Sequence, residues 1–403
     1  MAGGPLEGIK IIDMTSVVVG PLATQTFADY GADVIKIEAP GGDIVRFLAG
    51  RGRTPAMSGK FLHLNRNKRS LVLDMKKSGA HDALMKLLKT ADVLIWNMRP
   101  PAKARLKLSY EDVCKVNPKI IYCGMFGFGQ DGRYREKPAY DSIIQGSSGI
   151  AALYHMATGE PRYLPMVVAD RTVGLIAVQM ILMALLHRER TGEGQAIELP
   201  MFENMVKSVL EEHMYLKTFD PPLGDVGDPR LIDPQSRPLP TRDGWVCVSA
   251  NTDAQAFAVF DAIGRPELKT DPRFNTVAAR FKHTPEYFSI RAEGLKQKTT
   301  AEWMEIFDRT DVPAMPFQTL DQIMEDPHLK DIGFFEKLDH PTEGKIWNMK
   351  LPNKLSRGAR RDFRFAPKIG EQSLEVLREA GLSEADISAM LASGATLDGR
   401  PKT

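Results

Sequence analysis

The sequence contains few cysteines, and none of them form a pair of the kind that binds a metal or acts in redox chemistry. Among the 403 residues there are three, Cys114, Cys123 and Cys247, at wide spacing and with no Cys-x-x-Cys. This pattern argues against a disulfide framework and a structural zinc site, and it fits a reducing compartment. The histidines show no metal-ligand spacing such as His-Glu-x-x-His, so we predict no metal site.

The sequence also lacks an excess of charge and a long apolar run. With 53 basic and 51 acidic side chains, the formal net charge is +2, which gives no electrostatic reason to predict binding to nucleic acid or to an acidic membrane surface. The most apolar stretch, residues 173–186, is shorter than the roughly 20 residues of a membrane span and contains a glutamine, so we predict a buried core helix. The first residues resemble neither a secretory signal nor a transit peptide. We expect a soluble, cytoplasmic protein with no membrane partner.

A nicotinamide-binding fingerprint is missing as well. The turn after the first predicted strand reads SVVVGPLATQ, whereas dinucleotide binding requires G-x-G-x-x-G. A nicotinamide-dependent dehydrogenase is therefore disfavoured. Several basic residues could bind an anion, namely Lys68 with Arg69, and Arg99, Lys103, Arg105 and Lys107. Such groups more often form a solvated surface.

Strand-like and helix-like patterns alternate over the first two hundred residues, which predicts a parallel sheet covered by helices. Predicted strands are 9–14, 34–37, 70–74, 93–96, 120–125 and 196–199. Predicted helices are 20–31, 78–89, 110–116, 141–154, an apolar helix ending at 187–190, and 201–215.

The domain prediction depends on a segment rich in proline, glycine and aspartate. Residues 220–241 show no periodicity and are typical of a linker. We predict a large α/β domain over 1–219, completed by the C-terminal residues 325–403, and a smaller α+β domain over 242–324.

Eight segments, in order and at matching spacing, resemble the class III CoA-transferase family, also called CaiB–BaiF. They are GADVIKIE with GGDIVR after it, NRNKRSLVLD, ADVLIWNMRP, NPKIIYCGMFGFGQDG, KPAYDSIIQGSSG, VADRTVG, ALLHRERTGEGQAIELPMFE and DVPAMPFQTLDQIMEDPHL. The resemblance spans nearly the whole chain. It implies a Rossmann-like large domain with a smaller α+β domain, and two subunits interlocked like linked rings. It further implies a homodimer that uses acyl-CoA and a small carboxylic acid as substrates, with no permanently bound cofactor.

Asp170, in VADRTVG, has both a local and a family interpretation. An aspartate directly before an apolar helix is typical of an N-cap, where the helix N-terminus keeps a carboxylate ionised at neutral pH. The resemblance implies that Asp170 is the nucleophile. It would form an acyl-aspartyl anhydride and then an aspartyl-CoA thioester, from which an acceptor acid takes the CoA.

The resemblance also implies, by register, a set of residues around the CoA molecule. Val18 stands where the transferase for formyl-CoA and oxalate has a glutamine, and residues 221–244 lack its run of glycines, which makes oxalate doubtful. Asp141 lies near the nucleophile by this register, and a helix N-cap is an equal alternative. The CoA-contacting positions are Val18, Leu73, Asp74, Met75, Lys76, Asn97, Met98, Arg99, Arg105, Lys137, Tyr140 and Asp141.

A second carboxylate of the substrate has candidate partners in Arg46, Arg51 and Arg53, for which ordinary surface positions are the more frequent interpretation.

Two alternatives remain. An α-methylacyl-CoA racemase shares the fold but pairs its carboxylate with a histidine, and that position here is Tyr140, whose phenol has a pKa of about 10. His155 is more typical of a surface residue at a helix end. A CoA-binding protein without catalysis is the second alternative, and an intact Asp170 argues against it.

Overall fold

The computed structural model describes residues 4–48, 50–98, 105–358 and 363–400. The chain divides into two compact units. The first unit comprises Met1–Ser148, Leu164–Lys207 and Phe334–Thr403, and the second comprises Gly149–Tyr163 and Ser208–Gly333. The domain boundaries derived from the sequence stay predictions.

A six-stranded parallel sheet forms the centre of the first unit, so the predicted α/β class is confirmed. The strand order is β3-β2-β1-β4-β5-β6, and every neighbouring pair is parallel. In a sheet of this order, the connections diverge between β1 and β4, which opens a crevice at the carboxyl ends of these strands. The strands are β1 Lys10–Met14, β2 Asp33–Glu38, β3 Arg69–Val72, β4 Val93–Trp96, β5 Ile121–Phe126 and β6 Gln195–Pro200.

Helices separate the strands of the parallel sheet, and the one at Gly59–Asn65, between β2 and β3, was not predicted. They are α1 Val19–Asp29, α2 Gly59–Asn65, α3 Ala80–Leu88, α4 Tyr110–Cys114, α5 Asp141–Ser147, α6 Ile150–Thr158, α7 Val168–Thr191, α8 Met201–His213, α9 Asp253–Ala262, α10 Val277–Lys282, α11 Thr284–Leu295, α12 Thr300–Arg309, α13 Leu320–Met324, α14 Pro327–Asp331, α15 Ser373–Glu379 and α16 Glu384–Ser393. Short 3₁₀ helices occupy Ile44–Arg46, Tyr215–Thr218 and Pro266–Lys269.

The C-terminal helices complete the hydrophobic core of the first unit. Leu377 of α15 and Met390 of α16 belong to one buried cluster with Leu71 of β3 and Leu84 of α3. The edge strand β3 is tied to the same segment, because the Thr396 hydroxyl donates to the Val72 carbonyl at 2.8 Å.

The second unit has its own core beside a three-stranded antiparallel sheet of order β7-β8-β9. Trp303 and Phe307 of α12 stack with ring centroids 5.5 Å apart inside that core. A separate hairpin, β10 with β11, belongs to the first unit. The strands are β7 Leu239–Pro240, β8 Trp245–Val248, β9 Ala314–Pro316, β10 Phe335–His340 and β11 Gly344–Met349.

One predicted helix is wrong in its length. The pattern predicts a single helix over 141–154, but α5 ends at Ser147 and α6 begins at Ile150. Gly149 has φ of 105°, a left-handed conformation that glycine adopts readily and that interrupts a right-handed helix.

The apolar helix α7 is longer and less buried than predicted. It spans 24 residues, and its length and composition are sufficient for a membrane span, a weak criterion that core helices of soluble proteins also meet. Ala177 and Ile181 lie in the core. Leu175, Met183 and Leu186, in contrast, are 52%, 60% and 52% exposed. The prediction of a buried core helix therefore holds for part of α7 only, and the whole helix, unlike the apolar stretch 173–186 within it, is long enough to span a membrane.

Candidate active site

The carboxyl ends of the central strands open into a cavity of ≈ 490 Å³ within the first unit. The loop after β1 contributes Ser16 to Val19, the loop after β4 contributes Asn97 and Met98, and α7 contributes Asp170. The cavity thus lies at the point where a sheet of this strand order binds its ligands. Five of the twelve predicted CoA-contacting residues line it, namely Val18, Asn97, Met98, Lys137 and Tyr140.

The remaining predicted residues lie elsewhere or outside the described part of the chain. Leu73 is buried in the core, and its neighbours Asp74, Met75 and Lys76 follow β3 without lining the cavity. Arg105 is exposed and does not line it either. Arg99 and Lys103 lie outside the described residues. Contacts of these residues with CoA stay predictions.

Asp170 lies within the first turn of α7 and not before the helix. The helix begins at Val168 with Val167 at the N-cap, so Asp170 is the third helical residue and the N-cap interpretation is wrong. The residue forms part of the cavity wall, yet it is only 9% exposed. The free N–H groups of a first helical turn favour negative charge at this position.

Asp141 supplies the cap that α7 lacks. Its Oδ1 accepts a hydrogen bond from the backbone N–H of Asp170 at 3.1 Å. Asp141 is the first residue of α5, and Tyr140 occupies the N-cap, so the N-cap interpretation of Asp141 is wrong too. Its carboxylate joins the N-termini of two helices and lies beside the Asp170 carboxyl group.

Gln145 fixes this arrangement, and the sequence analysis missed it. Its Nε2 donates to Asp141 Oδ2 at 2.6 Å and to the Met166 carbonyl at 3.0 Å, and its Oε1 accepts from the Leu164 N–H at 2.9 Å. The residue thereby ties α5 to the segment that enters α7. The spacing of four residues between Asp141 and Gln145 on one helix was the available signal.

Burial changes the ionisation of Asp170. Burial and the nearby Asp141 carboxylate raise the pKa of Asp170 to about 7, against the opposing charges of Lys60 and Arg171. The expectation that the helix N-terminus keeps Asp170 fully ionised at neutral pH is therefore wrong for this chain. Desolvation of the charged form is the largest cause of this rise in pKa, ahead of the Asp141 charge.

Close packing of α7 on α1 brings Asp170 to the loop after β1. A Cβ at Gly174 of α7 would lie 2.7 Å from the Val19 carbonyl oxygen, so a larger residue would push the helices apart. Because Gly174 lies one helical turn after Asp170, this contact sets the position of Asp170 beside Val18 and Val19.

The loop after β1 is strained and held from two sides. Val17 has φ of 71°, which is rare for a β-branched residue and costs of the order of 1–3 kcal/mol. Its N–H donates to the Asp43 carboxylate at 3.2 Å. The Asn97 side chain donates to the Ser16 carbonyl at 2.9 Å and accepts from the Ser16 N–H at 3.0 Å. Asn97 therefore orients the cavity wall with its side-chain amide, and its contact with CoA stays a prediction.

Two buried ion pairs adjoin this loop. Lys36 binds Asp43 at 2.9 Å, and Lys68 binds Asp13 at 3.1 Å. Burial raises the pKa of Asp13, but Lys68 and Lys36 outweigh it and hold that pKa at about 2. Lys68 is 0% exposed, so both its interpretations, as an anion ligand and as a solvated residue, are wrong.

The other basic candidates of the sequence analysis differ in their partners. Arg69 binds Asp33 at 2.6 Å and also pairs with two glutamates of α15. Arg46 is buried in a bidentate pair with Glu38, at 2.7 and 2.8 Å, so neither a surface position nor a free substrate contact describes it. Arg53 donates to the Glu343 carbonyl, and Arg51 is exposed.

Exposed charged side chains at the cavity come from the segment between β5 and α5. Arg135, Glu136 and Lys137 line the cavity, and Lys137 Nζ lies 4.3 Å from the Tyr134 ring centroid. None of the eight histidines, all of which are described, lines the cavity. Within the described ranges, no group of three His, Cys, Asp or Glu residues could hold a metal ion.

Sequence comparison finds relatives along nearly the whole chain. The model of a family described as CoA-transferase family III matches residues 6–373. Formyl-CoA:oxalate CoA-transferases from several strains of Escherichia coli are 33% identical over 415 residues, which covers 96% of this chain and 98% of the relative.

Structural comparison agrees. A CAIB/BAIF family protein from Brucella suis is 29% identical and superimposes with a TM-score of 0.78 over 94% of this chain and 100% of that one. Rv3272 from Mycobacterium tuberculosis is 26% identical, with a TM-score of 0.79 over 93% and 99% of the two chains.

Proposed function

Because the chain belongs to CoA-transferase family III, and is thus a CoA-transferase, we propose that its chemistry proceeds through covalent intermediates on Asp170. The supporting observation is the burial of this carboxyl group at the wall of the cavity. Two carboxyl groups among the described residues line the cavity, and the other, Glu136, is exposed. A buried carboxylate loses the water that would compete for its lone pairs, which favours its use as a nucleophile.

The proposed reaction has two halves. An Asp170 oxygen attacks the thioester carbon of the donor, the C–S bond breaks, and a mixed anhydride and CoA thiolate form. The thiolate then attacks the aspartyl carbonyl, the anhydride C–O bond breaks, and the donor acid leaves an aspartyl-CoA thioester behind. The acceptor carboxylate reverses these steps and departs as the new acyl-CoA. The acyl group stays activated in the anhydride and in the thioester, so no nucleoside triphosphate is consumed.

Each step passes through a tetrahedral oxyanion that needs hydrogen-bond donors. We expect these donors in the first turn of α1, because the N–H groups there have no intrahelical partner and Val18 and Val19 line the cavity with Asp170. Removing one such donor typically costs about 3–4 kcal/mol of transition-state stabilisation. Asp141, with its own charge close by, has the further role of raising the proton affinity of Asp170.

Lys137 and Arg135 are the cations we assign to the CoA phosphates. Both line the cavity, and among the described residues neither has an ion-pair partner apart from a long contact of 3.8 Å between Arg135 and Glu136. Val18, Met98 and Tyr140 would contact the arm of CoA. Arg105 and residues 73–76, as well as Arg99, keep their proposed role on the resemblance alone.

The acyl partners are proposed to differ from those named for the relatives. Formyl-CoA and oxalate are small and polar, whereas the cavity that Asp170 lines has an apolar part of its wall, formed by Val17, Val18, Phe126 and Met201. This wall supports an acid with an apolar body. A panel of acyl-CoA donors and acids, with formyl-CoA and oxalate included, tests the assignment. Higher kcat/KM for oxalate than for longer acids would contradict it.

We also propose that the enzyme works as a homodimer with interlocked subunits. The exposed apolar residues Leu175, Met183 and Leu186 on α7 support an interface on that helix. Light scattering of the purified protein tests this, with Met183→Glu expected to yield monomers. A wild-type mass of one chain would contradict the proposal.

A cytoplasmic location and the absence of a permanently bound cofactor complete the proposal. The three cysteines are unpaired, which fits a reducing compartment. CoA enters as a substrate and leaves as a product.

The nucleophile is tested by trapping. Enzyme incubated with an acyl-CoA and hydroxylamine should carry a hydroxamate at Asp170, detected by mass spectrometry. Asp170→Asn should lose the label and nearly all activity while it still binds CoA, and the control Glu136→Gln should keep both. No label at Asp170, combined with exchange of the α-proton in deuterated water, would point to a racemase. Binding of CoA with neither result would point to a protein without catalysis.

A further inference from the structure

The second unit contains a cavity of its own, with a volume of ≈ 350 Å³. All of its lining residues belong to that unit. Four of them are arginines, and among the described residues that form the lining there is no aspartate or glutamate. The arginines are Arg230, Arg237, Arg280 and Arg291.

Two of these arginines are neutralised and two are not. Arg230 forms an ion pair with Asp228, and Arg280 binds Asp253 at 2.7 Å. Arg237 contacts the uncharged amide of Gln235 at 3.1 Å, and Arg291 Nη2 donates to the Val248 carbonyl at 2.8 Å. Within the described ranges, no carboxylate pairs with Arg237 or Arg291. The cavity therefore carries two uncompensated positive charges.

Arg291 is the more unusual of the two, since it is only 7% exposed. Its Nε lacks any hydrogen-bond partner in the described structure. Burial lowers the pKa of Arg291, but a guanidinium stays charged under physiological conditions. A buried charge without a counterion is costly, and a bound anion would offset that cost.

The rest of the lining suits an anion attached to an apolar body. Tyr287 and Phe288 lie beside Arg291, with ring centroids 5.2 and 5.4 Å from its Cζ, and Phe281 adds a third aromatic ring. Ser249 and Asn251 supply neutral hydrogen-bond donors at the same cavity. A carboxylate or phosphate is the group that arginines bind with two parallel hydrogen bonds.

We propose that this cavity is a binding site for an oxyanion, a carboxylate or a phosphate, held by Arg291 and Arg237, with its organic part against the aromatic residues. None of the lining residues belongs to the unit that contains Asp170, so a failure to bind an anion here would leave the transferase assignment unaffected.

The test is titration calorimetry of the full-length protein with inorganic phosphate and, separately, with benzoate. Saturating CoA is present throughout, so that the proposed CoA site is filled. Wild-type protein should bind at least one of the two probes. The probe that binds identifies the source of the anion, and benzoate alone would indicate that the apolar body contributes. Binding of neither probe would overturn the proposal.

Variants separate this site from others. Arg291→Met and Arg237→Gln should each weaken binding by roughly tenfold or more, since each removes a charge-assisted hydrogen bond. Arg237 is exposed, so its variant reports on binding even where the buried substitution impairs folding. Arg265→Gln, an exposed arginine of the same unit that does not line the cavity, is the matched control and should bind like wild type. Equal binding by Arg237→Gln and wild type would overturn the proposal.

Discussion

The backbone N–H of Asp170 donates a hydrogen bond of 3.1 Å to the carboxylate of Asp141. This contact stabilises the N-terminus of α7, and it also places a negative charge beside the proposed nucleophile. The same residue thus orients Asp170 and, together with burial, raises its pKa to about 7. Both effects can be measured separately.

The pH dependence of activity should report this raised pKa. The nucleophile acts when deprotonated, so kcat/KM should rise with pH through a midpoint near 7 and level off above it. Asp141→Asn removes the neighbouring charge while an amide oxygen can still accept the N–H of Asp170. Its midpoint should therefore move to lower pH. Glu136→Gln, at an exposed carboxylate of the same cavity, should keep the wild-type midpoint, and an unshifted Asp141→Asn profile would refute the coupling.

The raised pKa of Asp170 should also affect protein stability. Activity should increase with pH, whereas the contribution of Asp170 to stability should decrease. The pKa of Asp170 rises from 3.8 to about 7 on folding, so its contribution is most favourable below pH 3.8 and is lost as pH increases to about 7. Asp170→Asn removes this loss. Its free energy of unfolding relative to wild type should therefore increase by about 3 kcal/mol between pH 5 and pH 8. Urea unfolding at both pH values measures this, and an equal difference at the two would contradict the raised pKa.

Substitution of Gly174 should separate helix propensity from packing. Alanine is favoured over glycine in helices by about 1 kcal/mol, but here the new Cβ would meet the Val19 carbonyl at 2.7 Å. We expect Gly174→Ala to lose about 1–3 kcal/mol of stability and to lower kcat by up to about 10²-fold, since Asp170 would move. Thermal unfolding and steady-state kinetics test this. Glu189→Ala, at an exposed position of α7, should change neither, and a stabilised, fully active Gly174→Ala would disprove the close approach.

The buried ion pair between Lys68 and Asp13 should be important for the stability of the folded protein. Lys68→Met leaves Asp13 buried with one fewer cation, so we expect a loss of about 3–5 kcal/mol. The double variant with Asp13→Asn should lose less than the sum of the single changes, because the two residues interact directly. Lys115→Met, whose side chain is 73% exposed in a surface pair, should cost at most about 1 kcal/mol. Equal losses for Lys68→Met and Lys115→Met in urea unfolding would contradict the role of the pair.

Much of the first unit could be predicted from the sequence because its signals are local. The strand at 93–96 has the predicted bounds, and the other strands of the parallel sheet differ by one or two residues. Apolar runs bounded by glycine, proline and charged residues are properties of a few adjacent positions, and they need no knowledge of the rest of the chain. The family, too, was visible in short segments at fixed spacing, and the comparisons confirm it.

What the sequence could not provide is the environment of each charged residue. Lysine and arginine usually lie at the protein surface, but Lys68 and Arg46 are buried. Each forms an ion pair with a carboxylate from another element, Lys68 with Asp13 and Arg46 with Glu38. Asp141 and Asp170 are 29 positions apart, and their contact depends on how α5 and α7 pack. A pKa depends on burial and on neighbouring charges, both of which exist only in the folded chain. The sequence by itself therefore determined the fold and pointed to Asp170, whereas the tertiary structure decided that this carboxyl group is buried beside Asp141, with a pKa near neutrality.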